Sequence, residues 1–245
     1  MNILALTTSY TFEFAFISMI AASFYFLLER HKLSSKYKSI SSLAFLTTAL
    51  AVIEYYQMSD FFDIENLSSP TVNYPTEFRY ITWLIATPLM LYIFFVLSGF
   101  YKSHKKTVMT TLSLNFAMIV TGYFAETTYS NKLMSFNFSI AMFAIGFVCW
   151  LGIVYIYTKY LPEQLELTPS NNQKDLGKCL NILGKLVVFG WALYPAGLFI
   201  TFFDPSVDTA LTRELIYNFG DLFNKIGFSL ICFLCAVKLT KNEAI

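Results

Sequence analysis

The chain has 245 residues, of which 56% are hydrophobic, 18% are aromatic and only 13% are charged. A soluble domain carries about twice that charged fraction, so the composition excludes an ordinary water-soluble protein and favours a lipid environment. The formal net charge of +1 gives no sign of nucleic-acid binding.

Seven apolar runs follow one another along the chain, and each is long enough to cross about 30 Å of hydrocarbon as a helix. They lie near 5–28, 39–59, 78–100, 107–126, 134–158, 178–203 and 213–238. The polar segment 160–177 is interpreted as a plain linker between the fifth and sixth runs. The sequence therefore predicts an all-α membrane protein in which residues 1–245 form a single seven-helix bundle.

Lysine and arginine are distributed unevenly between the connecting segments. The segments ERHKLSSKYK, YKSHKK and KLTK are basic, whereas SDFFDIENLSSP and FDPSVD on the opposite side are acidic or neutral. Because basic segments tend to remain in the cytoplasm, this pattern predicts an extracellular N-terminus and a cytoplasmic C-terminus. Glu13, Asp60 and Glu126 lie near the predicted extracellular ends and are expected to be solvated.

The third run contains the stretch RYITWLIATPLM, which is apolar but begins with Arg79. A charge inside a membrane span is costly and usually marks a functional position. Residues at 79, 82, 86, 90 and 93 follow the i, i+3, i+4 spacing of a helix, so they face one side of it.

The last run is interrupted by Asp221 and Lys225, whose i, i+4 spacing places both side chains on one helix face. They could form a buried ion pair that fixes helix packing. Alternatively, Lys225 could form a Schiff base, because a desolvated amine is a good nucleophile and a protonated imine needs a countercharge. Trp83 and Trp191, on different helices, favour the second interpretation because they can wall a long conjugated ligand.

Three motifs together resemble the microbial (type I) rhodopsins over essentially the whole chain, and the proteorhodopsin branch in particular. They are RY..W....P in the third run, W..YP in the sixth and D...K in the last. The resemblance implies all-trans retinal bound as a Schiff base to Lys225, with Asp221 as counterion and Arg79 beside it. It also implies that light isomerises the retinal to 13-cis in a retinal pocket, without enzymatic turnover. The implied pocket residues are Trp83, Thr87, Met90, Met118, Gly122, Trp191, Tyr194 and Pro195.

The third run departs from the pattern of the family's proton pumps. Thr82 replaces the aspartate that accepts the Schiff-base proton, and Ile93 replaces the carboxylate that returns it. Outward proton pumping is therefore not expected. Chloride pumps also lack the aspartate, but they supply a second hydroxyl where this chain has Ala86, so a light-driven chloride transporter is the alternative. Thr82, Ala86 and Thr87 resemble the TAT (Thr-Ala-Thr) rhodopsins, which implies a photosensor responsive to pH and near-ultraviolet light.

Glu54 stands where proteorhodopsins commonly carry a histidine that contacts the acceptor aspartate. Three interpretations are open: a protonated acid, a displaced counterion, or a cation site shared with Asp221. Hard ions such as Ca²⁺ prefer oxygen ligands of this kind. Because the third-helix anion is missing, the holoprotein is expected to be a pH-dependent mixture of protonated, visible-absorbing and deprotonated, near-ultraviolet-absorbing forms.

The expected partners follow from the membrane location and from the resemblance. The lipid bilayer surrounds the bundle, and the expected location is the plasma membrane, the inner membrane if the source is bacterial. The resemblance, and no other feature of the sequence, implies a homo-oligomer. We expect no soluble output domain after residue 238, so any signal would pass through a separate partner or stay within the bundle.

Overall fold

The computed structural model describes residues 3–62, 76–130, 135–167 and 172–243. Within these ranges the chain is helical and contains no strand, and seven helices are long and apolar enough to cross a membrane. These helices are α1 (Ile3–Leu28), α2 (Lys38–Phe61), α3 (Thr76–Ser98), α4 (Lys105–Ser130), α5 (Phe136–Leu167), α6 (Gln173–Phe203) and α7 (Val207–Glu243). The all-α, seven-helix fold class predicted from the sequence is confirmed.

The helices form a closed ring. Each helix packs against the next in the sequence, and α7 packs back against α1. Large apolar side chains are exposed on all seven helices, as expected for a protein surrounded by lipid rather than water. Examples are Ile17, Ile53, Ile81, Phe116, Val148, Phe189 and Phe223.

The inside of the ring differs between its two ends. We call the end at which α1 begins the N-terminal side, and the opposite end, at which α7 ends, the C-terminal side. The C-terminal side is filled by a large apolar cluster that includes Phe26, Ile93, Phe94 and Phe233. The N-terminal side instead buries polar and charged side chains, which form the network described below.

The segment 160–177 is not the plain linker that its polarity suggested. Helix α5 continues to Leu167 and α6 begins at Gln173, so the two helices include most of this segment. The apolar pattern detects only the part of a helix inside hydrocarbon, whereas these helices extend beyond it. Pro162 is tolerated because it follows a π-helical segment, Ile156–Tyr160, where the regular i→i−4 bonding is already interrupted.

Two further π-helical segments contact each other near the middle of the bundle. They are Leu186–Gly190 in α6 and Leu222–Gly227 in α7. Asn224 in the second segment donates a hydrogen bond of 2.9 Å from Nδ2 to the carbonyl oxygen of Gly190 in the first. Segments of this kind are frequent at functional sites, and Lys225 lies in the one on α7.

Gly190 leaves the space that the Asn224 side chain occupies. A Cβ at Gly190 would overlap Asn224 Oδ1 and lie 3.1 Å from Cγ. We expect Gly190→Ala to lower the free energy of unfolding by about 1–3 kcal/mol, the usual cost of overpacking. Gly177→Ala on the same helix is the control, because its nearest neighbouring atom is 3.8 Å away. Thermal unfolding compares the two variants, and equal midpoints would contradict this interpretation.

Candidate functional site

Lys225 lies at the centre of the bundle between two carboxylates. The residue is 1% exposed, and its Nζ is 2.7 Å from Glu54 Oε2 and 2.8 Å from Asp221 Oδ2. An amine this deeply buried is stable as a cation only when it is paired and hydrogen-bonded. Glu54 comes from α2, so two different helices supply negative charge to the Lys225 nitrogen.

Asp221 is held by three further donors. The hydroxyls of Tyr194 and Tyr55 donate to it at 2.7 and 3.0 Å, and Trp83 Nε1 donates at 3.3 Å. Hydrogen bonds of this kind stabilise the charged form of a carboxylate. Asp221 is therefore arranged as a permanent countercharge to Lys225.

Glu54 is much less completely bonded than Asp221. Its side chain is fully buried, yet Oε1 accepts no hydrogen bond from the part of the chain that the structure describes. Arg79 NH1 lies 3.7 Å from Oε1. Glu54 thus pairs with Lys225 through one oxygen and keeps spare acceptor capacity on the other.

Arg79 lies beside Asp221, at 3.8 Å, but its closer partners are elsewhere. Its NH2 donates to Asn218 Oδ1 at 2.6 Å and to Glu214 Oε2 at 2.8 Å. The sequence reasoning did not single out Glu214, which is fully buried on α7. Its position one helical turn before Asn218, two turns before Asp221, was the signal that could have identified it.

The network continues from Glu214 towards the N-terminal side. Arg213 NH2 is 2.9 Å from Glu214 Oε1, and Arg213 NH1 is 3.0 Å from Glu126 Oε1. The expectation that Glu126 is solvated is wrong, because the residue is fully buried. Its place near a helix end suggested solvent, but Arg213 and two tyrosines cover it. Glu13 and Asp60, by contrast, are exposed as expected.

Among the residues that the structure describes, the buried network holds one more carboxylate than cation. Its four carboxylates are Glu54, Asp221, Glu214 and Glu126, and its three cations are Lys225, Arg79 and Arg213. An unbalanced charge is costly in a low-dielectric interior. One carboxyl group therefore holds a proton, or the network takes up a further cation.

A cavity opens directly beside Lys225. The nine side chains that the sequence assigned to a retinal pocket all line it: Trp83, Thr87, Met90, Met118, Gly122, Trp191, Tyr194, Pro195 and Lys225. Most of the lining is apolar, and it includes Trp83 from α3, Trp150 from α5, and Trp191 and Tyr194 from α6. An apolar cavity that ends at a buried amine fits retinal, whose polyene is apolar and whose aldehyde reacts with a lysine.

The remaining third-helix positions do not line this cavity. Thr82 and Ala86 are buried on α3, and Ile93 is fully buried in the apolar cluster on the C-terminal side. Over the described ranges, no group of three or more His, Cys, Asp or Glu side chains is placed to hold a metal ion.

Comparison with known proteins agrees with this arrangement. The bacteriorhodopsin-like protein family matches residues 6–239. The chain is 28% identical to the green-light absorbing proteorhodopsin of Gamma-proteobacterium EBAC31A08 over 96% of its own length and 88% of the relative's. It is also 28% identical to sensory rhodopsin-2 of Natronomonas pharaonis, over 66% of this chain and 62% of that one.

A solved structure shows the same fold. The crystal structure of Exiguobacterium sibiricum rhodopsin superposes with a TM-score of 0.88 and 34% sequence identity, and the match covers 98% of this chain and 99% of that one. The chain therefore belongs to the bacteriorhodopsin-like family, the retinal-binding microbial (type I) rhodopsins, as its third-, sixth- and last-helix motifs predicted.

Proposed function

We propose that this protein is a light and pH sensor rather than an outward proton pump or an enzyme. The observation that carries the proposal is the placement of its buried acids. Every buried carboxyl group among the described residues lies beside Lys225 or on the N-terminal side of it. A pump must also return a proton to the Lys225 nitrogen from the opposite side.

Among the described residues, no buried carboxyl group lies on the C-terminal side of Lys225 to make that return. The position of the family's proton donor is Ile93, which packs in the apolar cluster with Phe94 and Phe233. The hydroxyls of Ser41 and Thr47 in this half donate to backbone carbonyls. Apolar side chains and hydroxyls cannot supply a proton at neutral pH.

The acids beside Lys225 differ in their ability to accept a proton. Retinal, when bound to Lys225, would supply a light-driven isomerisation that changes the surroundings of the Lys225 nitrogen and favours release of its proton. Asp221 already accepts hydrogen bonds from Tyr55, Trp83 and Tyr194, which oppose its protonation. Glu54 has a free oxygen, so Glu54 takes the proton and returns it along the same path. This supports the interpretation of Glu54 as a displaced counterion.

The third helix and the relatives are consistent with sensing. Thr82, Ala86 and Thr87 resemble the TAT rhodopsins, and the relatives include a sensory rhodopsin as well as proteorhodopsins. A chloride transporter is the alternative. It is disfavoured because Glu54 and Asp221 place negative charge on both sides of the position where an anion would approach Lys225.

Continuous illumination of cells that contain the holoprotein tests the proposal. We expect no sustained change of external pH, in chloride or in sulfate medium. The Lys225→Ala variant, which cannot bind retinal covalently, is the control and should be colourless. Sustained acidification would establish a proton pump, and a pH change that requires chloride would establish the alternative.

We further propose that a cation such as Ca²⁺ binds between Glu54 and Asp221. The surplus negative charge of the network and the free Oε1 of Glu54 support this. The test compares absorption spectra with Ca²⁺ and with a chelator, in the wild type and in Glu54→Gln. We expect a calcium-dependent shift of the absorption maximum in the wild type and none in Glu54→Gln. A shift that persists in Glu54→Gln would contradict the proposal.

The orientation of the protein in the membrane is inferred from the uneven distribution of lysine and arginine between the connecting segments. We place the N-terminal side outside the cell and the C-terminal side in the cytoplasm, in the plasma membrane, the inner membrane of a bacterium. A signal would pass to a separate membrane or cytoplasmic partner, and a homo-oligomer is compatible with the exposed apolar faces. Protease accessibility of tags at the two termini of cells tests the orientation directly.

A further inference from the structure

We propose that Glu126 is a positioning residue for the retinal cavity, acting through Tyr80 and Tyr217. This goes beyond the sensor proposal, because it depends only on retinal binding and holds for a sensor or a pump. It also accounts for a fully buried acid on α4 that has no part in the proton path described above.

Glu126 brings three helices together. Its Oε2 accepts hydrogen bonds from Tyr80 Oη of α3 at 2.9 Å and from Tyr217 Oη of α7 at 3.4 Å. Its Oε1 faces Arg213 of α7 at 3.0 Å. The carboxylate therefore fixes the directions of two tyrosine hydroxyls at once, while Arg213 balances its charge.

Two glycines leave room for the tyrosine rings. A Cβ at Gly122, one turn before Glu126 on α4, would lie 3.3 Å from Tyr80 Cε1. A Cβ at Gly197 on α6 would lie 2.7 Å from Tyr217 Cε1, closer than real Cβ atoms approach. Each ring is therefore seated against a glycine and held at its hydroxyl by Glu126.

The seated rings in turn support Trp83. Tyr80 and Tyr217 meet the Trp83 ring edge-on, with centroid distances of 5.0 and 5.5 Å. All three rings line the cavity, and Trp83 Nε1 also donates to Asp221 at 3.3 Å. Loss of the carboxylate would leave two buried hydroxyls without their acceptor, and the rings that brace Trp83 would shift to find others.

The groups that face Glu126 allow an experiment to distinguish a purely electrostatic role of Glu126 from a positioning role. Tyr80 comes from α3, whereas Tyr217 and Arg213 come from α7. Beyond Arg213 lies Glu214, which is in turn paired with Arg79. If Glu126 acted only by charge, removal of the tyrosine hydroxyls would leave the cavity unchanged.

The test measures the rate at which hydroxylamine bleaches the holoprotein in the dark, the absorption maximum, and near-ultraviolet circular dichroism of the retinal-free protein. We expect Glu126→Gln to bleach about tenfold faster than the wild type. A factor of ten corresponds to about 1.4 kcal/mol, which is the order of the contribution of one hydrogen bond to a charged group. The absorption maximum and the aromatic circular dichroism should also change. Glu163→Gln, an exposed acid on α5, is the control and should change none of these.

A double-variant comparison decides the mechanism. The variant with Tyr80→Phe and Tyr217→Phe keeps both rings and should reproduce the faster bleaching, and adding Glu126→Gln should then have no further effect. Fully additive effects would overturn the proposal. The proposal would also be overturned if Glu126→Gln lowered the unfolding midpoint but left the bleaching rate, the spectrum and the circular dichroism unchanged. That result would mean that Glu126 contributes only to helix packing. If Glu126→Gln does not fold, the tyrosine variants decide the question, because wild-type behaviour in them would also overturn it.

Discussion

Glu54→Gln should lower the pH at which the holoprotein converts from its visible-absorbing to its near-ultraviolet-absorbing form by about two to four units. The variant keeps the side-chain shape but removes a negative charge 2.7 Å from Lys225 Nζ. Removing one partner of a buried ion pair costs about 3–5 kcal/mol, and each pH unit corresponds to about 1.4 kcal/mol. The positive form of the nitrogen loses this stabilisation, so it gives up its proton at lower pH. Absorption spectra across a pH series provide the measurement.

The matched control for this prediction is Glu13→Gln. Glu13 is also a glutamate on the N-terminal half, on α1, but it is exposed. Its replacement should leave the conversion where it is in the wild type. If Glu54→Gln also left the midpoint unchanged, or raised it, Glu54 would not be a counterion to Lys225.

A second large effect is expected from restoring the groups that the third helix lacks. The variant with Thr82→Asp and Ile93→Glu adds an acid at each position where the family's proton pumps carry one. A glutamic acid at 93 would be surrounded by apolar side chains, so it would stay protonated and could donate a proton towards Lys225. We expect sustained light-driven acidification from this variant and none from the wild type, measured in cell suspensions.

The control for the restored pump is the variant with Thr82→Asn and Ile93→Gln. The Asn and Gln side chains have nearly the same shapes as Asp and Glu but are not acids. It should bind retinal and transport nothing. If the acidic variant bound retinal but also failed to transport protons, the loss of pumping would have a cause other than Thr82 and Ile93.

The sequence predicted the outline of this protein well because membrane helices have simple signals. Apolar length located the seven helices, and the spacing of Asp221 and Lys225 placed both on one face, where they form an ion pair. Trp83, Trp191 and Tyr194 were found from short motifs, and they line one cavity. Each of these inferences depends on residues close together in sequence, or on a family pattern that supplies the missing contacts.

The rest depended on contacts between distant helices. Glu54 was noticed, but its 2.7 Å approach to Lys225 joins positions 171 residues apart. Glu214 was missed although its spacing from Asp221 places both on one helix face, and Arg213 was missed because nothing local marks it as buried. Glu126 was misjudged because a helix end can be covered by other helices. The π-helical segments were also not predicted, because they change the backbone hydrogen bonding without changing the apolar pattern of the sequence.

In the proposed sensor, the Lys225 nitrogen exchanges its proton with the N-terminal side only. Proteoliposomes of known orientation, with a pH-sensitive dye confined first inside and then outside, test it by a single flash. We expect that any proton released on the N-terminal side is taken up again on that side, with no pH change on the other side and no net transfer. A proton taken up from the C-terminal side and delivered to the N-terminal side would contradict it.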